Sequence, residues 1–472
     1  MAASGIEVDI DGGGLRAAVA RRSPTVAAAL DEEQAAVRAR AWAAREVPDS
    51  VVDAVRVRSV LYRPDGGCTL RYRVRLSPAG RERILLVEIP PAATDVVIRP
   101  FPADPGLPTL QRALDPDLMR GVLGRAIPGT GGERAIGRCA VDVVHHPRQG
   151  RCVLRYRLSL GAGGPGELRH PVVFGKVYGD DSAGAAASAL RLLRHGLANL
   201  PDHVRFVVPQ PLAVLPSLRL GLVEAVPGRP LLPDLVKASC TPDASPASGP
   251  EALSSAVETA ARTAAAVHAC NASGVPLPVR DFASELAATE RDLTLLQPVW
   301  PGAAARLRPA VIRALDVTGD HPRPAASVGW PLAPVLAHGD FTAGQVLIDC
   351  PGRAGIVDVD TLCMAEPALD VGRFLAYLHV TGIRRSRAAW SVLADMTALF
   401  LESYLDARPP SGDGTGSAAG ASRLFLERTA GYHALALGRI GASACRQLKD
   451  DRLAAVVEVL DAGNAWLRSV TG

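Results

Sequence analysis

Of the 52 basic residues in this 472-residue chain, three are lysines, at 176, 237 and 449, and asparagine is equally rare, at 199, 271 and 464. Arginine, alanine, glycine and proline are abundant instead, which points to a GC-rich, actinobacterial genome. No apolar run reaches the roughly 18–20 residues of a membrane span, so no membrane partner is expected. No basic block is present either. A net charge of +4 spread along the chain argues against nucleic acid as the partner. The eight cysteines include no C-x-x-C pair, which argues against a zinc site or a disulfide framework and for buried thiols. The opening residues lack the basic and apolar regions of a signal peptide, so a cytoplasmic protein is expected.

The length suits two or three domains. Residues 25–45 are Ala-rich with spaced apolar positions, which predicts helix. From Val51 the period changes to that of strands, with Leu70–Val74 and Ile84–Ile89 separated by Pro-Gly turns. Cys68-Thr-Leu-Arg-Tyr-Arg-Val74 recurs as Cys152-Val-Leu-Arg-Tyr-Arg-Leu158, a weak internal repeat. The strand after the first copy ends Val87-Glu88-Ile89; the strand after the second holds Lys176. Between the copies a helix is predicted around Pro108–Leu123. A further helix is predicted over 183–197, strands over Val204–Val208 and Arg219–Glu224, and turn chemistry at Ala225–Arg229. Residues 238–250 read as a mobile insertion. Helices are predicted over 251–271 and 280–316, then from 367 onward with an interruption at Pro409–Ser422. A β-rich part thus precedes a helix-rich part that carries an inserted strand-turn-strand, and the two join near 224–229. The expected boundaries are 1–130 for an N-terminal cap-like region, 131–226 for a β-rich lobe and 227–472 for a helical lobe.

The chemistry is concentrated in His338-Gly339-Asp340, Gln345 and Asp358. Asp340 lies in a loop where a carboxylate can accept the proton of a hydroxyl nucleophile. Taken alone it is more easily a turn aspartate that caps local backbone. In phosphoryl transfer, an amide five residues later and a downstream strand-end aspartate hold metal ions that bridge the phosphates. Gln345 and Asp358 stand at those places, and Asp358 closes the apolar run Gly355-Ile-Val. His338 reads as a loop brace. Asp360 and Asp370 read as structural supports, Asp370 bonding back to the loop backbone. Lys176, in an apolar strand of an arginine-dominated chain, is the candidate to hold phosphate oxygens.

The stretch from His338 to Asp360, with Asp370, resembles the aminoglycoside phosphotransferase and choline kinase superfamily. His-Gly-Asp-x(4)-Gln is similar to the variant found in maltokinases. The likeness covers about residues 135–400. It implies an α+β, bilobal protein-kinase-like fold, with a β-rich small lobe, a helical large lobe and an extra N-terminal α/β region. It also implies ATP and Mg²⁺ as cofactors. Asp340 would be the base, Gln345 and Asp358 the metal ligands, Lys176 the phosphate anchor, and Glu224 to Val226 the source of backbone bonds to adenine. Three features depart from the family pattern. No glutamate occurs between 179 and 223 to pair with Lys176, leaving Asp180 or Asp181 as substitutes. The segment Pro147–Arg151 stands where a Gly-rich phosphate loop belongs. The N-terminal repeat is extra.

The function expected is a kinase for a hydroxyl of a small molecule (an amino sugar, a sugar or a natural-product intermediate) or of a peptide. Asp281, Glu285 and Glu366 are candidates to receive a cationic amino sugar. A nucleotide-binding scaffold without catalysis is the rival, favoured by the missing Glu and Asn and opposed by Lys176, Asp340 and Asp358. A metal-dependent hydrolase ranks last, because it would leave Lys176 without a role.

Overall fold

A computed structural model describes residues 13–78, 80–127, 136–148, 150–160, 172–232, 250–271, 276–315, 332–386, 390–408 and 418–463. Of the predicted insertion at 238–250 and interruption at Pro409–Ser422, residues 238–249 and 409–417 lie outside the described residues, while Pro250 and 418–422 are helical. Contacts divide the chain into two compact units. One gathers Met1–Asp104, Ser284–His321 and Ala434–Gly463; the other gathers Pro105–Ala283, Pro322–His433 and Asn464–Gly472.

In the first unit, helices α1 (Gly14–Arg22), α2 (Pro24–Leu30) and α3 (Glu32–Glu46) precede an antiparallel sheet. Its strands β1 (Val51–Tyr62), β2 (Cys68–Ser77), β3 (Arg81–Ile89) and β4 (Val97–Pro100) lie in sequence order. The Ser23 and Asp31 side chains accept N–H bonds from Val26 and Gln34, which sets the starts of α2 and α3. Along β2 every second residue from Cys68 to Leu76 is buried, the period of a strand with one face on a core.

The second unit opens with α4 (Leu110–Ala113) and α5 (Pro116–Ala126). Strands β5 (Ile136–Arg148), β6 (Arg151–Leu160), β7 (Val172–Tyr178), β8 (Pro211–Leu215) and β9 (Leu220–Glu224) follow, with α6 (Ala183–Ala198) between β7 and β8. The sheet order is β5-β6-β7-β9-β8. After β10 (Arg229–Pro230) come α7 (Pro250–Ala269), β11 (Val279–Arg280), α8 (Phe282–Thr294) and α9 (Pro301–Leu315). Short strands β12 (Val335–Ala337), β13 (Val346–Cys350), β14 (Arg353–Ile356) and β15 (Cys363–Ala365) carry the loops of interest. Helices α10 (Ala368–Thr381), α11 (Trp390–Ala407), α12 (Ala418–Arg446) and α13 (Asp450–Ala462) close the chain. The fold is α+β: a five-stranded small lobe precedes a helical lobe, and an α/β region comes before both. Among the described residues no helix is long and apolar enough to cross a membrane. Six of the seven described cysteines are buried, and all seven are free thiols.

Two expectations change. The contacts divide the chain otherwise than the boundary drawn at 130: 105–126 belong with the second unit, while α8 from Ser284 onward, α9, α12 from Ala434 onward and α13 belong with the first. Trp300, just ahead of α9, explains the second assignment. It is fully buried, edge-on to Tyr62 at 5.6 Å, and its Nε1–H donates to the Leu15 carbonyl at 3.2 Å. The strand expected at Val204–Val208 is a single bridge. Val207 exchanges backbone bonds with Ala354 and Ile356, while β8 forms further on, at Pro211–Leu215.

The repeat is structural as well as textual. Thr69 pairs with Glu88 in the first hairpin as Val153 pairs with Lys176 in the second. The Tyr72 hydroxyl donates to the Ala29 carbonyl at 2.6 Å, and its counterpart Tyr156 donates to Ala113 at 2.9 Å. Glu88 therefore occupies the register of Lys176 and is bonded to Arg99. A carboxylate there repels phosphate, so the first copy is no second phosphate site.

The helical lobe buries a histidine pair. His379 Nδ1 lies 3.0 Å from His433 Nε2, and both residues are 1 % exposed or less. Thr397 spends its hydroxyl proton on Leu393 O, so His379 Nε2–H donates to Thr397, and Nδ1 accepts from His433. Burial drives the His379 pKa down to about 4, and that of His433 well below its ordinary value. Between about pH 6.5 and 4 the unfolded chain binds protons that the folded chain refuses, so stability falls as pH falls. His379 alone accounts for about 3 kcal/mol over that window. Urea unfolding at pH 7 and pH 4.5 checks this. The loss will shrink in a His379→Gln/His433→Gln variant.

Candidate active site

Strand alternation places Lys176 and Tyr178 on one face of β7. Gly175 between Phe174 and Lys176 has a packing cause: a Cβ there would lie 2.6 Å from the Tyr156 ring. Lys176 Nζ bonds Asp358 Oδ1 and lies 2.6 Å from Asp360 Oδ2. Asp360 also accepts from the Tyr178 hydroxyl, at 3.2 and 3.3 Å to its two oxygens, and Arg151 Nη1 approaches it at 3.4 Å. Burial raises the pKa of Asp358, but the charge and hydrogen bond of Lys176 outweigh it and the net shift is downward. Asp358 sits in the left-handed region, φ +65° and ψ 44°, where the chain turns from β14 into a short 3₁₀ turn. A non-glycine residue in that conformation is strained, as is common where a side chain must be aimed.

The loop between β12 and β13 is tied down from several sides. Asp370 at the start of α10 accepts the N–H groups of His338 and Gly339 at 2.6 and 2.8 Å. Burial opposes its ionisation, but hydrogen bonding and charge from His268 hold its pKa below the ordinary value. His338 Nδ1 accepts from the Asp340 N–H at 3.3 Å, so its Nε2–H donates to the Val357 carbonyl at 3.1 Å. Arg280 and Arg373 both donate to the Gly339 carbonyl, at 2.7 and 2.9 Å. Gly339 has φ +77°, and a side chain there would collide with Thr361 O, so only glycine fits. Asp340 itself is flanked by Arg373, whose Nε lies 2.9 Å from Oδ1 as an ion pair, and by Gln345, whose Nε2 donates to Oδ2 at 3.5 Å. The Gln345 Oε1 accepts from the Thr342 hydroxyl.

A cavity of about 380 Å³ lies between the small-lobe sheet and this loop. That is in the lower part of the roughly 300–1,000 Å³ range of ligand sites. Phe174, Leu222, Val226 and Leu347 give it apolar walls, and Lys176, Gln345, Asp358 and Asp360 line its polar end. Asp340 stands beyond that lining. Glu224 and Val226 line the cavity, but the Glu224 N–H donates to Gln210 O and so is not a donor to a base. The oxygen-only donor set of Asp358 and Gln345 suits Mg²⁺, which takes one or two carboxylates and completes its shell with phosphates and water. No cluster of three or more His, Cys, Asp or Glu disposed to hold a metal occurs among the described residues.

Several sequence expectations find other partners. Asp180 accepts the Ser182 N–H and Asp181 pairs with Arg219, so neither meets Lys176. Glu366 is 1 % exposed and forms a two-pronged bond with Arg428 at 2.7 Å. Glu285 bonds Arg439 at 3.1 Å. These two carboxylates are therefore internal anchors and not receptors for a cation. Arg373, Arg280 and Tyr178 went unnoticed as site residues in the sequence, and Arg151 was read only as the end of the Pro147–Arg151 segment. Arg373 alone carried a signal, since it lies three residues after Asp370 on one helix face.

The model of the phosphotransferase enzyme family matches residues 167–407. This chain belongs to that family. The phosphotransferase is thus an enzyme of the class that its sequence implied. No curated protein matches it. Among solved structures it is similar to a choline kinase from Cryptosporidium parvum, at 13 % identity over 75 % of this chain and 94 % of that one, with a TM-score of 0.44. A choline/ethanolamine kinase family protein from Mesorhizobium loti is 17 % identical over 77 % and 99 % of the two chains, with a TM-score of 0.43. A macrolide 2'-phosphotransferase from Brachybacterium faecium is 18 % identical over 70 % and 97 %, with a TM-score of 0.38.

Proposed function

We propose that this phosphotransferase uses ATP and Mg²⁺ to phosphorylate a hydroxyl group of a small molecule, such as a sugar or a natural-product intermediate. The observation that supports this best is the meeting of Lys176, Asp358 and Gln345 at one end of an apolar-walled cavity, with Asp340 within hydrogen-bond reach of Gln345. In this reading the apolar walls take the base and Lys176 takes phosphate oxygens. Asp358 and Gln345 hold Mg²⁺, which when bound neutralises charge on the transferring group. Asp340 orients the acceptor hydroxyl and takes its proton, and Arg373 keeps the carboxylate aimed. The internal pairing of Glu285 and Glu366 leaves Asp281 as the acid that could receive a cationic amino sugar.

A nucleotide-binding scaffold that transfers nothing is the second reading. Its support is the Gln345 amide oxygen, which bonds Thr342. ADP release with a panel of hydroxylated small molecules and peptides separates the two. Acceptor-dependent, Mg²⁺-dependent ADP is expected. ATP binding that needs no Mg²⁺, with no ADP from any acceptor, overturns the enzyme reading.

A further inference from the structure

The reading of Lys176 as the phosphate anchor raises a question of support. A lysine on a flexible four-carbon stem serves phosphate only if something holds its ammonium in place. Helix α6, which packs beside β7, offers nothing acidic. Residues 179–223 contain no glutamate, and their three aspartates are committed elsewhere: Asp180 to Ser182, Asp181 to Arg219 and Asp202 to Arg205.

We propose that Asp360 is the residue that positions Lys176, doing from the turn after β14 what helix α6 cannot do; the proposal rests on the kinase reading above. The two aspartates that touch Lys176 are not equivalent. The Asp358 side chain is 45 % exposed and opens to the cavity, where a metal ion would draw on its charge. The Asp360 side chain is 10 % exposed and lies 2.6 Å from Nζ. It is also held from behind, by the Tyr178 hydroxyl and by Arg151. Those two are neighbours across the β6–β7 ladder, in register with one another. Arg151 directly follows Gly150, the tip of the hairpin that stands where a phosphate loop belongs. Sheet, hairpin and turn therefore converge on one recessed carboxylate. When Asp358 engages a metal, Lys176 keeps Asp360 as its partner and stays aimed at the phosphates.

The test is calorimetric binding of Mg·ATP to the full chain, comparing wild type, Lys176→Met, Asp360→Asn, the double variant and Tyr178→Phe. Asp360→Asn is expected to weaken binding about tenfold, as truncating one partner of a half-buried charge pair does. The double variant should bind no more weakly than Lys176→Met, because the two residues act as one unit. Tyr178→Phe, which keeps the ring, should weaken binding by about threefold. The Mg²⁺ concentration for half-saturation should stay at the wild-type value in Asp360→Asn. Additive effects, unchanged binding in Asp360→Asn, or a raised Mg²⁺ requirement there would each overturn the proposal, the last by making Asp360 a metal ligand. If Lys176→Met itself leaves binding unchanged, the kinase reading falls along with it. If Lys176→Met weakens binding and Asp360→Asn does not, the proposal alone falls. Should Asp360→Asn fail to fold, Tyr178→Phe carries the comparison, and wild-type affinity there counts against the proposal.

Discussion

Replacing Asp340 by asparagine will leave Mg·ATP binding within about twofold of wild type and slow phosphoryl transfer by about 10²–10⁴-fold, the usual contribution of a positioned acid or base. The separation follows from geometry. Asp340 does not line the cavity that holds Lys176, Gln345, Asp358 and Asp360. Its neighbours are Arg373 at 2.9 Å and Gln345 at 3.5 Å. Asparagine preserves size and one oxygen but cannot take a proton. The check is ADP release against calorimetric binding on the same preparation. A variant that loses both together would make Asp340 a structural residue.

Asp370→Ala will lower stability by about 3–5 kcal/mol, the cost of breaking a buried charged network by removing one member. Asp370 is fully buried and has three partners: the N–H groups of His338 and Gly339, and His268 Nε2 at 3.2 Å. Without the carboxylate, two buried backbone donors lose their acceptor, at about 1–3 kcal/mol each. His268 loses its partner as well, while its Nδ1 stays with the Tyr404 hydroxyl at 2.7 Å. The loop that carries Asp340 is then released, so activity will fall even at temperatures where the variant is folded. Urea unfolding measures the first effect and ADP release the second. A variant within 1 kcal/mol of wild type would mean that the loop is held without Asp370, by the two arginines on the Gly339 carbonyl and the bond of His338 to Val357.

Much of this site was legible along the chain. His338, Gly339, Asp340 and Gln345 fall within eight residues, and Asp358 ends an apolar strand, so local spacing carried the reading. Lys176 stood out by rarity. The 84-residue offset of the repeat, Cys68 to Cys152, was also visible, and the backbone preserves it in the pairing of both hairpins. What could not be read were choices among partners. Glu366 has the sequence context of an exposed helix-end acid, yet it is buried against Arg428, 62 residues away. Asp360 looked like a local support and instead reaches Lys176 across 184 residues of chain.

The order of residues alone picks out the candidate groups: a loop carboxylate, an amide, a strand-end carboxylate and one strand lysine. Residue identity and short spacing suffice for that. Folding decides which carboxylates meet the lysine, which acids are spent on arginines, and that Asp340 stands outside the cavity lined by Lys176 and Asp358. Those outcomes depend on burial and on strands brought together from distant parts of the chain. In the low dielectric of the folded interior, an ångström-scale difference in approach settles which of several equivalent charges pairs.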